Sequence, residues 1–145
     1  MKNVIAIAVG ISDGMGFGDN TKAALMTRGL DEITRLGLAM GAKAETFAGL
    51  SGMGDLITTC VSRHSRNRNF GQMIGQGIDV QRALKQTEMV VEGLQTTESA
   101  RALARKYGVD VPIIEEVYAV LYKSRSPEKA VRDLLRIEPK SEIER

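Results

Sequence analysis

Apolar residues along the chain fall into runs and repeats that mark out a series of helices. Val4-Ile5-Ala6-Ile7-Ala8-Val9 is short and continuous and is read as a buried helix, although periodicity alone does not separate it from a buried strand. From Asp19 the spacing changes. Ala23, Met26, Leu30, Ile33, Leu36 and Met40 recur at three- and four-residue steps, with Lys22, Arg28, Asp31, Glu32 and Arg35 between them. This pattern predicts an amphipathic helix from Asp19 to near Gly41. After a link at 44–49, the cluster Gly49-Leu50-Ser51-Gly52-Met53-Gly54 leads into a helical segment over Asp55-Leu56-Ile57-Thr58-Thr59-Cys60. Its glycines permit close backbone approach.

Start and stop signals divide the remainder. Ser65 caps a helix whose apolar face is Phe70, Met73 and Ile74 and which ends at Gly75 or Gly77, and Asp79 caps the short segment after it. Glu92 to Tyr107 reads as a helix stopped by Gly108. Pro112 suits a first helical position, and Ser126-Pro127-Glu128 combines a cap, a first-turn proline and a first-turn acid. The last helices are expected to bury Ile113, Val117, Val120 and Leu121, then Val131, Leu134 and Leu135. The charged tail 139–145 is expected to fray. With no repeat, low-complexity tract or linker, residues 1–145 read as one all-α domain.

Two other readings of the opening are weaker. Gly14-x-Gly16 is followed three residues later by Asp19, where a dinucleotide-binding turn needs glycine, and no second strand–helix–strand candidate follows. Lys2, the apolar run and its alanines also outline a secretory signal, but the run is short and carries one positive charge. It lies far below the ~20 apolar residues of a membrane span. Cytoplasmic residence without a membrane partner is therefore expected.

Composition narrows the chemistry. The 145 residues carry 20 basic and 18 acidic side chains, a net charge of +2, and 43% hydrophobic residues, which suits one folded domain. Cys60 is the only cysteine and has no internal disulfide partner. With no tryptophan and His64 as the only histidine, neither a histidine-based metal site nor an aromatic nucleic-acid platform can be built.

The most unusual cluster is Ser62-Arg63-His64-Ser65-Arg66-Asn67-Arg68-Asn69. At a helix start, Ser65, Arg66 and Asn67 would combine backbone N–H groups, the positive dipole end and an arginine fork into a phosphate site. A solvated basic turn is the alternative. A nucleic-acid patch is the third reading, which the small net charge and lack of a basic stripe disfavour. Asp55, in a glycine-rich and otherwise apolar setting, is either functional or a cap for the helix after it. Lys2 alone reads as a solvated lysine, and Cys60 and His64 as structural.

Together, Lys2-Asn3-Val4-Ile5-Ala6-Ile7-Ala8, Gly18-Asp19-Asn20-Thr21-Lys22, Gly52-x-Gly54-Asp55-Leu56, Thr59-Cys60 with Ser65-Arg66-Asn67-Arg68, and Glu92-Gly93 follow a recognisable order and spacing. They resemble the C-terminal domain of bacterial-type NAD(P)-dependent glycerol-3-phosphate dehydrogenases over almost the whole chain. The resemblance implies an all-α substrate domain of the 6-phosphogluconate dehydrogenase C-terminal superfamily, and a place in cytoplasmic phospholipid-precursor metabolism. It implies that Lys2 is the proton acceptor or donor at the carbinol carbon and that Asp55 is the carboxylate beside it. Asn3, Thr59, Ser65, Arg66 and Asn67 would join them in holding glycerol 3-phosphate or dihydroxyacetone phosphate. Arg66, Val90 and Glu92 would touch NAD or NADP, and no metal is implied.

The implied chemistry is physically consistent. A lysine in a helix's first turn faces the positive dipole end, which disfavours its own charge and lets it take a proton from a hydroxyl, while Asp55 orients it. The family's N-terminal Rossmann domain, the expected partner, has no counterpart in a chain that starts one residue before the lysine. The expectation is an excised domain or truncated product, inactive alone and self-associating as a homo-oligomer. The alternative is a stand-alone phosphometabolite-binding or dimerisation module. The choice between NAD and NADP would rest with the missing domain.

Overall fold

Helix α1 (Lys2–Gly14) organises the molecule, because a segment apolar on every side must be covered on every side. The computed structural model describes residues 1–42, 50–62, 64–86 and 91–136; of residues 50–53, 91 and 92 it describes the backbone alone. Every residue from Val4 to Ser12 of α1 is buried. Around it lie α2 (Asp19–Ala39), α3 (Leu50–Val61), α4 (Arg66–Gly75), α5 (Val80–Gln86), α6 (Val91–Tyr107), α7 (Pro112–Tyr122) and α8 (Pro127–Arg136). All of these except α5 pack on α1, α4 the most extensively. Among the described residues there is no strand, so the fold is all-α and the ambiguity of the first run is resolved as helix.

Most expected boundaries are found. Ser65 caps α4 by accepting a hydrogen bond from the Arg68 N–H, Pro112 opens α7, and Ser126 Oγ accepts from the Lys129 N–H ahead of α8. Gly77 and Gly108 terminate α4 and α6 with φ of +97° and +66°, a conformation that favours glycine. Helix α3 begins at Leu50, so glycines 52 and 54 lie inside it rather than leading into it. The expected fraying of 139–145 concerns residues outside those described.

The buried face of α2 differs from the expected one. Ile33 and Leu36 are buried as expected and Met26 and Leu30 pack half-buried on the core, but Ala23 is exposed and Met40 is 42% exposed, whereas Leu25, Gly29 and Glu32 are buried. Gly29 is buried because the Ile5 side chain fills the space where a Cβ would stand, only 2.6 Å from Ile5 Cγ2. Glu32 is buried because its carboxylate caps a different helix: both oxygens accept from the Ile113 N–H, at 3.0 and 2.9 Å, and Oε1 also from the Ile114 N–H at 3.3 Å. Val111, at the N-cap of α7, offers no side-chain bond, so a residue far off in sequence satisfies the first turn. Desolvation pushes the Glu32 carboxyl up to about 7, against the lowering effect of those N–H groups and of Arg35. In α8, Ala130 takes the inner position and Leu135, expected inside, is 38% exposed.

Candidate functional site

The site is set by the way α1 and α4 lie together. A Cβ added to Gly10 would stand 2.0 Å from the Arg68 carbonyl oxygen, and one on Gly14 2.1 Å from that of Gln72. Reciprocally, one on Gly71 would stand 2.1 Å from the Ile7 carbonyl oxygen, and one on Gly75 2.1 Å from that of Ile11. Backbone therefore meets backbone along two Gly-x-x-x-Gly faces. The pairings advance together along both chains, so the helices run parallel and their first turns lie at one pole, level to within about one turn.

That pole gathers residues from three helices. Lys2 and Asn3 come from the first turn of α1, Ser65, Arg66 and Asn67 from the start of α4, and Asp55 from α3. Lys2 Nζ donates to Asp55 Oδ2 at 2.5 Å, with both side chains about half exposed. Thr59, one turn beyond Asp55, spends its hydroxyl proton on the Asp55 carbonyl at 2.8 Å. Two parallel helix dipoles, Lys2 and the exposed Arg66 make the pole electropositive, with Asp55 as a local counter-charge. An accessible cation–carboxylate pair beside a capped helix start can hold an anion and move a proton.

The remaining basic residues of the 62–69 cluster behave differently. The Arg68 guanidinium turns back along the seam. Its Nε and Nη2 donate to Asp13 Oδ2 at 3.2 and 2.9 Å, and Nη1 donates to Gln72 and Asn69. Lys22 pairs with the other Asp13 oxygen at 3.1 Å. Arg68 is thereby a brace between α4 and the end of α1. His64 is exposed, and its N–H donates to Ser62 Oγ. Cys60 is buried, and desolvation pushes its thiol up to about 12, far from a reactive thiolate. Arg63, Val90 and the side chain of Glu92 lie outside the described residues.

Sequence reading missed three features near this pole. The first is the glycine seam itself, whose signal was present as the four-residue spacing of Gly10 and Gly14 and of Gly71 and Gly75. The second is a groove of about 430 Å³ beside Asn3, lined by Gln95, Thr96, Ser99, Ala100 and Leu103 of α6. The third is a contact of Gly93 with the Asn67 amide. Among the described residues, no group of three or more His, Cys, Asp or Glu side chains is placed to hold a metal, and no helix is long and apolar enough to cross a membrane.

Comparison with known proteins adds independent information. The family model for the C-terminus of NAD-dependent glycerol-3-phosphate dehydrogenase matches residues 1–132. A glycerol-3-phosphate dehydrogenase (NAD(P)+) of Pelotomaculum thermopropionicum is 58% identical over 135 residues, which is 93% of this chain and 39% of that protein. One from Fusobacterium nucleatum is 53% identical over 144 residues, 99% of this chain and 43% of its own length. The crystal structure of a Coxiella burnetii glycerol-3-phosphate dehydrogenase superposes with a TM-score of 0.90 at 44% identity, over 94% of this chain and 42% of that one. A Saccharomyces cerevisiae glycerol-3-phosphate dehydrogenase superposes with a TM-score of 0.81 at 30% identity, over 94% and 40%. The chain thus spans about two-fifths of the length of the curated relatives it matches.

Proposed function

Because the chain belongs to the family of NAD-dependent glycerol-3-phosphate dehydrogenase C-terminal domains, we propose that its electropositive pole holds the substrate and handles the proton in that reaction. The reaction proposed is the interconversion of sn-glycerol 3-phosphate and dihydroxyacetone phosphate with NAD or NADP. One observation carries the reading: the parallel α1–α4 seam brings the Lys2–Asp55 pair and the Ser65-Arg66-Asn67 helix start to the same end of the molecule.

In this reading Arg66, Ser65 and Asn67 bind the phosphate, using a guanidinium and the donors of a helix start. Asn3 and Thr59 line the polyol side. Lys2 takes the proton of the C2 hydroxyl in oxidation and returns it to the carbonyl oxygen in reduction, while Asp55 keeps the lysine head in place. Anchoring the phosphate fixes the reacting carbon relative to Lys2, so the proton transfer becomes an intramolecular event.

The described residues fit only one edge of a dinucleotide. They contain no strand from which a glycine-rich phosphate turn could lead, whereas Arg66 is exposed at the pole and would meet the cofactor there. Val90 and Glu92 complete the proposed contacts. A bound nicotinamide supplies or accepts the hydride at the carbinol carbon. Most of its binding surface is assigned to the Rossmann domain found in the family, and this chain by itself is proposed to be inactive. The proposed setting is the cytoplasm, with self-association supported by the exposed Ile57 and Val61 of α3.

The test is a titration of the chain with glycerol 3-phosphate, followed through its backbone amide resonances. Shifts confined to the Lys2, Asp55 and Ser65–Arg68 region, lost in Arg66→Ala, support the reading. Unchanged binding in Arg66→Ala places the anion elsewhere and refutes it.

A further inference from the structure

We propose that Gly93 is a positioning residue for Asn67: the missing side chain at 93 is the seat on which the Asn67 amide rests. Through it α6 orients a group at the anion end of the site. The inference deepens the reading above and rests on it.

Three observations converge. A Cβ on Gly93 would stand 2.1 Å from Asn67 Oδ1 and 3.2 Å from its Cγ, with Ile7 Cδ1 of the central helix at 3.3 Å. Asn67 Oδ1 is buried and has no hydrogen-bond partner among the described residues, so packing against α6 holds this end of the amide. Gly93 also lies within α6 and is not among the glycines with positive φ. Its backbone would accept any residue, and alanine would be the better helix former. The glycine is explained by what it touches. Asn67 as a whole is only half-buried although its Oδ1 is buried, and it stands in the first turn of α4 directly after Arg66. A methyl group at 93 would displace that amide while leaving the α6 backbone and its Thr97 Oγ1 to Gly93 carbonyl bond in place.

The experiment uses the 145-residue chain, isotope-labelled, with inorganic phosphate as the probe. Gly93→Ala is expected to keep the parent's helical circular dichroism and to bind phosphate roughly threefold to tenfold more weakly, the loss of about one well-placed hydrogen bond. Asn67→Ala should weaken binding by a similar factor. The double variant should bind no worse than Asn67→Ala alone, because the second change acts only through the first. It also lacks the collision, so it folds even where the single variant is strained, and its comparison with Asn67→Ala can be read in either case. Parent-like binding by Gly93→Ala, or two independent effects that multiply in the double variant, overturns the proposal while leaving the anion site standing. If phosphate shifts no amide from Ser65 to Arg68 in the parent, the anion site itself falls and this proposal with it.

Discussion

Replacing Gly71 by alanine asks the α1–α4 seam to hold a methyl group for which it has no space. The new Cβ would lie 2.1 Å from the Ile7 carbonyl oxygen and 3.0 Å from the Ile11 nitrogen, about 1.3 Å short of ordinary contact on the oxygen side. Both obstacles are backbone, so no rotamer change relieves them and the helices themselves must move apart. Overpacking of this kind costs typically ~1–3 kcal/mol, and relief by backbone shift alone puts this case at the upper end. Alanine's better helix propensity returns about 1 kcal/mol, leaving a net loss of about 2 kcal/mol or more. For a domain of this size that is a fall of roughly 6 °C or more in the melting temperature. Gly54→Ala is the matched control: Gly54 is exposed within α3, and a Cβ there meets nothing within 4 Å among the described residues. It should gain about 0.5–1 kcal/mol. Urea and thermal unfolding of the two variants, followed by far-ultraviolet circular dichroism, decide the matter. A Gly71→Ala chain within about 0.5 kcal/mol of Gly54→Ala would refute the argument that backbone contact at the seam sets the spacing of the two helices.

Other expectations are more local. The Glu32 carboxyl titrates near 7 when folded against an ordinary 4.5, so the folded state holds the extra proton between these values. The stability associated with that proton is fully present below about 4.5 and is lost as pH rises through 7, by an amount on the order of 3 kcal/mol. Urea midpoints at pH 5 and pH 8 should therefore differ more in the parent than in Glu32→Gln, and equal differences would rule the carboxyl out as the source. In a protein that joins this chain to the N-terminal part of a relative, Lys2→Ala should lower kcat by ~10²–10⁴ with little change in phosphate affinity, and an unchanged kcat would remove Lys2 from the proton-transfer step. Cys60, fully buried and with its thiol raised to about 12, should ignore a thiol-reactive disulfide reagent in the folded chain and consume one equivalent once unfolded in urea.

Much of this molecule could be read from its residues alone. Helix starts at Ser65, Pro112 and Pro127 and stops at Gly77 and Gly108 depend on backbone groups within a few residues, so local sequence determines them. The apolar face of α7 and, in α4, the burial of Phe70 and Ile74 follow for the same reason: their spacing is set by the helix repeat, and ordinary core residues occupy it. The pairing of Lys2 with Asp55 and their company with Ser65, Arg66 and Asn67 were legible only as a resemblance between motifs, since nothing local joins positions so far apart.

Tertiary structure decided what depends on two elements at once. Glu32 is polar by every local measure and is buried because α7 needs a carboxylate at its first turn. Gly29 is inside because Ile5 fills the space beside it, while Ala23 and Met40, expected on that face, are exposed. Arg66 and Arg68 stand two residues apart in one basic cluster, yet one is exposed at the pole and the other is bound to Asp13. Helical rotation separates their directions, and only the packed α1 supplies the carboxylate that captures the second. The glycines at 10, 14, 71 and 75 show the division most plainly. Their spacing is written in the sequence, but the parallel register that turns it into a common pole exists only once two helices have met backbone to backbone.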